Sequence, residues 1–351
     1  METGAFLSKA DLIVTGGKVV TLDAVDTIAE AIAIKGERIL AVGRTEAIAE
    51  FVSPQTQQIN AAGRLVVPGL IDGHAHMDRE GLKDTLPSLA GCRSINEICE
   101  RIRHLTEETP PGDWIVTMPV GEPPFYLDVP ELLSEGRFPD RHDLDRVAPD
   151  HPVYIRAIWG HWRNTLPLVS IANTRALERA GITSATQSPS ENIHIEANSP
   201  GGQLTGRFFE SLYKPLVEKT LMACIPRFTL EQRITGLQRS MQVYNSYGTT
   251  SVFEGHGVAG EVLAAYQDLR ATGPLPVRAN LMFSPAWPNV DAAAVKDLLL
   301  DWGRWLAGRG LGDEYLRMAG LYTEADYSEE NRLRALCGPY TGWAGFNFDA
   351  A

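Results

Sequence analysis

Cysteine is scarce in this sequence, and positive charge is outnumbered. The four cysteines, Cys92, Cys99, Cys224 and Cys337, show no Cys-x-x-Cys spacing. A disulfide framework is therefore not expected, and the cysteines are predicted to be reduced thiols of a cytoplasmic protein. Lysine and arginine total 32 against 44 aspartate and glutamate residues, which gives a net charge of −12. This charge argues against a nucleic-acid or anionic-membrane partner, since both select a basic surface, and solubility alone explains it.

Long apolar runs are missing as well. No segment reaches the roughly 20 apolar residues of a membrane-spanning helix. The first ten residues lack the basic and apolar regions of a signal peptide. With 351 residues, of which 44% are hydrophobic and 22% charged, the composition is that of a soluble globular protein. This length favours more than one domain.

The chemistry concentrates in one stretch, Arg64–Asp78, whose sequence is RLVVPGLIDGHAHMD. Its apolar run, Leu65–Ile71, predicts a buried strand. Because side chains two apart on a strand point to the same side, Asp72, His74 and His76 are expected on one face. Two imidazoles at the end of a strand can bind a divalent metal, although a bare His-x-His also occurs in polar turns and strand caps.

The residues before this stretch, 10–63, predict a small β unit. One hairpin is predicted in Asp11–Leu22, with its turn at Gly16-Gly17, and a second in Ala31–Val42. A short helix is predicted at Thr45–Phe51, with Thr45 as its N-cap.

Helical and strand patterns alternate after the His-x-His stretch. Helices are predicted at Ser94–Glu108, with a capping box of Ser94 and Glu97, at Phe228–Gly248 and near Ala292–Ala307. The predicted strands are Trp114–Met118, Thr249–His256, Val277–Phe283 and Tyr315–Tyr322. This alternation favours a parallel α/β architecture.

Several phrases resemble a known family. The phrase PGLIDGHAH, at 68–76, resembles the first-strand signature of the metal-dependent amidohydrolase superfamily, P-G-[LF]-[IV]-D-x-H-x-H. The phrase PDRHDLDRVAPDHPVYIR, at 139–156, resembles the narrower YtcJ-like branch, and GTTSV, at 248–252, is similar to a strand of that branch. The resemblance implies an α/β fold: an incomplete TIM-type (β/α)8 barrel with a small N-terminal β-sandwich portion. Residues 1–66 would form the partial sandwich, and residues 67–351 the barrel, with an insertion around 119–215.

The resemblance also implies a metal site. In this family the two histidines bind metal at the mouth of the barrel, so His74 and His76 are expected to be ligands of a divalent metal, most simply zinc. Glu254 and His256 stand two apart at a predicted strand end and are expected to face the same cavity as further ligands; a polar loop is the equal alternative. His161 would orient the substrate, with packing as its alternative role.

The sequence departs from the family pattern at one chemical position. Many YtcJ-like proteins carry a lysine in a G-V-K-x-x-x-D-G strand, where carboxylation would make it a metal bridge. Tyr322 occupies that place here and is a poor substitute for a bridging carboxylate. Glu324 and Asp326 are close enough in sequence to substitute for it, and they are the predicted catalytic carboxylates. A solvated loop at the strand end is the competing interpretation.

The function implied is a metal-dependent hydrolase of C–N bonds in a small molecule, such as a non-peptide amide or carbamate. The family's later metal ligands have no counterpart downstream, which predicts a truncated form. Such a chain is expected to bind zinc weakly, to show little hydrolysis and to expose strand edges that permit a homo-oligomer. The alternatives are a non-catalytic barrel fragment and a deaminase of the same superfamily.

Overall fold

The protein has a mixed α/β fold. A computed structural model describes residues 8–83, 85–123, 126, 129–157, 166–211, 216–285, 292–306 and 310–322. Contacts between residues divide the chain into two compact units, Met1–Leu70 and Ile71–Ala351. No helix in the described ranges is both long enough and apolar enough to cross a bilayer.

The first unit is built from short strands in two sheets. Its strands are β1 (Leu12–Thr15), β2 (Lys18–Val20), β3 (Ile28–Ala29), β4 (Ala31–Lys35), β5 (Arg38–Gly43), β6 (Gln57–Asn60) and β7 (Leu65–Val66). One sheet has the order β5-β4-β1-β6 and the other the order β3-β2-β7. A short helix, α1 (Thr45–Ile48), continues as a 3-10 turn to Phe51. Its core consists of small and branched side chains: Ala10, Ile13, Ala31, Ala33 and Ile48.

One of the two predicted hairpins is confirmed. Strands β4 and β5 pair antiparallel around the turn, with Lys35 opposite Arg38. The hairpin predicted around Gly16-Gly17 is wrong, because β1 and β2 belong to different sheets. Gly16 has a φ of +66°, and a Cβ on Gly17 would lie 2.7 Å from the Cβ of Ala61. The glycine pair therefore lets the chain cross from one sheet to the other at close approach instead of turning back on itself.

The remaining elements of the described residues belong to the second unit, except that β8 begins at Leu70, the last residue of the first unit. Its strands are β8 (Leu70–Asp72), β9 (Ile115–Thr117), β10 (Val153–Ile155), β11 (Leu168–Ala172), β12 (Ile193–Ala197), β13 (Leu204–Glu210), β14 (Thr249–Val258), β15 (Arg278–Phe283), β16 (Leu311–Gly312) and β17 (Leu316–Leu321). Its helices are α2 (Met77–Leu82), α3 (Ile95–Glu108), α4 (Arg141–Asp145), α5 (Thr174–Ala180), α6 (Leu216–Lys219), α7 (Leu230–Ser246), α8 (Gly260–Ala271) and α9 (Ala292–Leu306).

Two five-stranded sheets organise this unit. One has the order β12-β13-β11-β10-β9, and the other the order β16-β17-β15-β14-β8. In the second sheet β15 runs parallel to both β14 and β17, with α8 and α9 in the connections. The alternation of strands and helices predicted for this region is confirmed. Strands β9 and β10 do not join this sheet. Strand β10 pairs with β9 in parallel and with β11 antiparallel, and β11 pairs antiparallel with β13, so these strands belong to the other sheet.

The apolar run Leu65–Ile71 is not one buried strand, contrary to the prediction. It is split into β7 and β8, and Leu65, Leu70 and Ile71 are 60%, 57% and 76% exposed. Pro68 between the two strands has no N–H to donate to a ladder, so a single continuous strand is disfavoured there. The two halves pair in different sheets, β7 with β2 and β8 with β14.

The three predicted helices are confirmed as α3, α7 and α9, and caps explain where the first two begin. Ser94 accepts a hydrogen bond from the Glu97 N–H at the start of α3, while the Glu97 carboxylate takes the Arg93 N–H. Thr229 and Gln232 form a reciprocal capping box at the start of α7. The apolar face of α3 is buried against strands β9, β10 and β11, through Ile95, Ile98, Cys99 and Ile102.

Candidate metal centre

His74 and His76 lie in the link between β8 and α2 rather than within a strand. Hydrogen bonds donated by backbone N–H groups fix this link. The His74 N–H donates to Asp72 Oδ1 over 2.9 Å, and the Ala75 N–H donates to the carbonyl oxygen of Phe253 over 2.9 Å. The two histidines are therefore held against β14 by the backbone of the residue between them.

His256, on β14, completes a group of three imidazoles. The ligating nitrogens of His74, His76 and His256 all lie within 4.8 Å of one another. The ring centroids are 4.9 Å apart for His74 and His76, 5.8 Å for His74 and His256, and 5.6 Å for His76 and His256. The structure thus brings together three of the four predicted metal ligands, and their binding of metal stays a prediction.

Glycines on both sides of His256 make room for this group. A Cβ on Gly255 would lie 3.0 Å from the Phe253 ring and 3.4 Å from His74 Nδ1. Gly257 has a φ of +80°, and a Cβ there would lie 2.8 Å from Tyr322. The pairing of β14 with β15 also shifts register between Glu254 and Val258. A bulge of this kind re-aims side chains at the end of a strand, and here it accompanies the turn of His256 toward the other two rings.

Glu254 is next to the group but is not a member of it. Its carboxyl group is 2% exposed, and its Oε1 accepts hydrogen bonds from the Met77 N–H over 2.9 Å and from the Tyr266 hydroxyl over 2.8 Å. Burial, and then the negative charge of Asp78, raise the pKa of Glu254 to about 8. Direct ligation by Glu254 stays a prediction.

Further buried charges lie on α2 directly after His76. Asp78 and Arg79 are 5% and 3% exposed. Burial raises the pKa of Asp78, against the opposing effect of the Arg79 and Arg233 charges. Burial likewise lowers the pKa of Arg79, while Asp78 and Glu254 act in the opposite direction. Arg233, on α7, in turn contacts the Glu261 carboxylate at 2.9 Å.

Two tyrosines border the imidazoles. The Tyr322 ring lies 5.4 Å from the His256 ring, centroid to centroid, at an interplanar angle of 34°. The residue in the place of the family's lysine is therefore in contact with the histidine group. Burial raises the pKa of Tyr244, and the negative charges of Asp72 and Glu254 raise it further.

Sequence reasoning missed the residues around the imidazoles. Asp78 and Arg79 belong to the same short stretch as the histidines, and their charge beside an apolar strand was the available signal. Tyr266 carried no signal, since it occupies an ordinary apolar position on α8. The three predicted catalytic residues, His161, Glu324 and Asp326, lie outside the described residues.

A second buried polar cluster lies beside the sheet β12-β13-β11-β10-β9. Arg156 and Glu218, 1% and 4% exposed, form an ion pair of 2.6 Å. The Arg156 guanidinium also lies 4.6 Å from the centroid of the Phe228 ring. Glu210 is 1% exposed, and its Oε1 accepts the Val217 N–H over 2.8 Å. Burial raises the pKa of Glu210 to about 8, with a smaller effect in the same direction from Glu218.

Comparison with known proteins gives one family match and several partial relatives. The model of a family described as "Amidohydrolase family" matches residues 57–349. The protein LONG AFTER FAR-RED 3 of Arabidopsis thaliana is 27% identical over 70% of this chain and 38% of its own length. The Bacillus subtilis protein named "Putative amidohydrolase YtcJ" is 24% identical over 79% of this chain and 46% of its own length. The N-substituted formamide deformylase of Arthrobacter pascens is 27% identical over 76% of this chain and 46% of its own.

Two solved structures share the fold. They are uncharacterized metal-dependent hydrolases from Pyrococcus horikoshii and Pyrococcus furiosus, each 20% identical, with TM-scores of 0.61 and 0.60. Each match covers 90% of this chain, and 55% and 57% of the respective structures. The chain thus spans less than half the length of the curated relatives, and little more than half of these two structures.

Proposed function

The chain belongs to the amidohydrolase family, and on that premise we propose that it is a metal-dependent hydrolase of C–N bonds in a small molecule. The observation that carries the proposal is the group formed by His74, His76 and His256, whose nitrogens lie within 4.8 Å of one another. Three protein ligands are the usual set of a catalytic zinc site. The third imidazole weighs against the alternative of a non-catalytic fragment, which rested on two histidines alone.

The donor set fits a divalent metal, with zinc as the proposed ion. Zinc–nitrogen bonds of about 2.0–2.1 Å place the nitrogens of a tetrahedral site about 3.4 Å apart. The ligating nitrogens of the three rings, one exposed and two half-buried, lie within 4.8 Å of one another, so metal binding would require the rings to draw closer. When bound, such a metal polarises a carbonyl group and lowers the pKa of a water toward about 7.

The protein's own residues supply position and proton transfer in this proposal. The backbone bonds of His74 and Ala75 hold the imidazoles in place. The predicted catalytic residues keep their roles: Glu324 or Asp326 moves a proton to the leaving group, and His161 orients the substrate. The parallel strands β14, β15 and β17 are proposed to be part of a TIM-type barrel, whose active sites lie at the carboxyl ends of the strands.

The substrate class proposed is a non-peptide amide, carbamate or related compound. The family supports C–N hydrolysis, and one relative bears the name of an N-substituted formamide deformylase. A deaminase of the same superfamily is the second possibility. It would release ammonia, whereas hydrolysis of an N-substituted formamide releases formate and an amine.

The test is metal binding and turnover by the purified chain. Zinc content is measured after dialysis, together with formate release from an N-substituted formamide and ammonia release from aminated heterocycles. Because a third imidazole joins the group, we expect one metal ion per chain and formate release, in place of the weak zinc binding and little hydrolysis predicted from the sequence. His256→Ala should lose both, whereas His142→Ala, which truncates an exposed histidine on α4, should keep both. Metal binding unaffected by His256→Ala, or turnover that persists without metal, would contradict the proposal.

A further inference from the structure

The N-terminus of α2 is capped from a distant strand. Its N-cap residue is His76, whose side chain makes no capping hydrogen bond within the described part of the chain. The first N–H of the helix, that of the fully buried Met77, donates instead to Glu254 Oε1 over 2.9 Å, across a sequence separation of 177 residues. A buried N–H needs such an acceptor, because a buried donor without a hydrogen bond destabilises the folded state.

The same carboxylate connects the two segments that carry the imidazoles. Met77 directly follows His76, and Glu254 stands two residues before His256 on β14. The Phe253 carbonyl adds a second connection one residue away, through the Ala75 N–H. His76 is thus held on both sides, at a φ of −139° and a ψ of 50°, which lie outside the regular helical and extended regions.

Tyr266 fixes the carboxylate itself. Its hydroxyl donates to the same Oε1 over 2.8 Å, and its side chain is fully buried on α8. Two donors on one oxygen leave Glu254 little freedom to rotate toward the imidazoles. These contacts are those of a residue that orients a metal ligand, here His76, without binding the metal itself.

We infer that Glu254 is the positioning residue of the histidine group: it holds His76 in register with His256 through the Met77 N–H, and Tyr266 holds Glu254. The inference rests on the proposed function only in identifying the group as a metal site. Residues that orient metal ligands typically contribute 10–100-fold to metal affinity.

Cobalt(II) titration followed by visible absorption tests the inference, because the spectrum reports coordination geometry as well as affinity. Glu254→Ala should bind cobalt about 10–100-fold more weakly than the unmodified chain, with an altered spectrum. Glu254→Gln should restore most of the affinity, since an amide oxygen can accept both hydrogen bonds. Tyr266→Phe should have an intermediate effect.

Val252→Ala is the matched control, because Val252 is buried on the same strand and packs in the same apolar cluster as Met77 and Tyr266, but its side chain makes no hydrogen bond. It should lower the thermal midpoint without changing the cobalt spectrum. Equal weakening by Val252→Ala and Glu254→Ala at equal loss of thermal stability would overturn the inference, since a general loss of stability would then explain both. Loss of affinity in Glu254→Gln as large as in Glu254→Ala would also overturn it and point to a direct ligand.

A readout without metal separates this inference from the proposed function. In the metal-free chain, the amide proton of Met77 should resonate at low field in the unmodified protein and in Glu254→Gln, and should move upfield in Glu254→Ala. If the unmodified chain binds no cobalt but this shift is seen, the proposed metal site is contradicted, whereas the contact between Glu254 and the Met77 N–H is supported. An unchanged Met77 resonance in Glu254→Ala would show that the hydrogen bond to Glu254 is absent, and it would overturn the inference.

Discussion

Gly81 and Gly236 lie at the closest approach of α2 and α7. A Cβ placed on Gly81 would come within 2.0 Å of the Gly236 carbonyl oxygen. Since α2 begins one residue after His76, this helix crossing constrains the position of His76 within the unit. The pair of glycines therefore belongs to the support of the candidate metal centre as much as to helix packing.

Gly81→Ala is expected to destabilise the protein by about 1–3 kcal/mol through overpacking. The Cβ of the new side chain meets rigid backbone, so the two helices must separate. Chemical denaturation measures the effect. Gly303→Ala is the control, because Gly303 is a helical glycine of α9 with no neighbour within 4 Å; it should stabilise by up to about 1 kcal/mol. A Gly81→Ala protein as stable as the control would show that the helices are not in contact there.

Gly257→Ala should be more harmful than Gly248→Ala. Both glycines have left-handed backbone, with φ of +80° and +83°, but only Gly257 has neighbours, the atoms of Tyr322 at 2.8 Å. Each substitution costs roughly 1–2 kcal/mol in backbone strain. The extra loss in Gly257→Ala measures the displacement of Tyr322, and cobalt binding should weaken in this variant alone. Equal losses of stability in the two variants would mean that the Tyr322 side chain moves aside at no cost in free energy.

Glu210→Gln should change the pH dependence of stability. The pKa of Glu210 is about 8 in the folded protein against 4.5 as the ordinary value. Between these values the folded state keeps a proton that the unfolded state has lost, so stability falls as pH rises from about 4.5 to about 8, by up to ~1.4 kcal/mol per pH unit. Glutamine cannot ionise and removes this fall.

The measurement for Glu210 is the free energy of unfolding of both proteins between pH 5 and pH 9. Their difference should grow toward pH 8 in favour of Glu210→Gln and then level off. Glu131→Gln, at an exposed position, should track the unmodified protein. A constant difference across this range would contradict a buried, protonated Glu210.

Glu218→Ala should destabilise the protein by about 3–5 kcal/mol, because it leaves the buried Arg156 guanidinium without its carboxylate. Replacing both residues, as in Arg156→Met with Glu218→Leu, should recover most of the loss. The exposed pair Arg175 and Glu178 is the comparison: Glu178→Ala should cost at most about 1 kcal/mol. Thermal and chemical unfolding distinguish these cases, and a loss below 1 kcal/mol in Glu218→Ala would contradict the prediction.

Periodicity and capping predicted the elements that carry the candidate site. The helix at 230–246 and the strand that carries His256 follow from local patterns, and such patterns depend on neighbours a few residues apart. The same reasoning placed His74 and His76 together, although it assigned them to a strand rather than to a turn before α2.

Long-range contacts lay beyond that reasoning. Alternation of side chains says which face of β14 Glu254 occupies, but not that the Met77 N–H, 177 residues away, would take its oxygen. The split of Leu65–Ile71 likewise depends on the availability of two different partner strands, β2 and β14. Pairing partners are decided by the whole fold, and a single sequence does not specify them.

Strand β14 provides three different groups to the candidate site. They are the carbonyl oxygen of Phe253, the carboxyl group of Glu254 and the imidazole of His256. Occupation of the site and integrity of this strand are therefore thermodynamically linked, because a ligand that binds only the native arrangement stabilises every element needed for it. Metal should slow hydrogen exchange at the amides of β14 and its neighbour β15 by the full factor set by affinity and concentration.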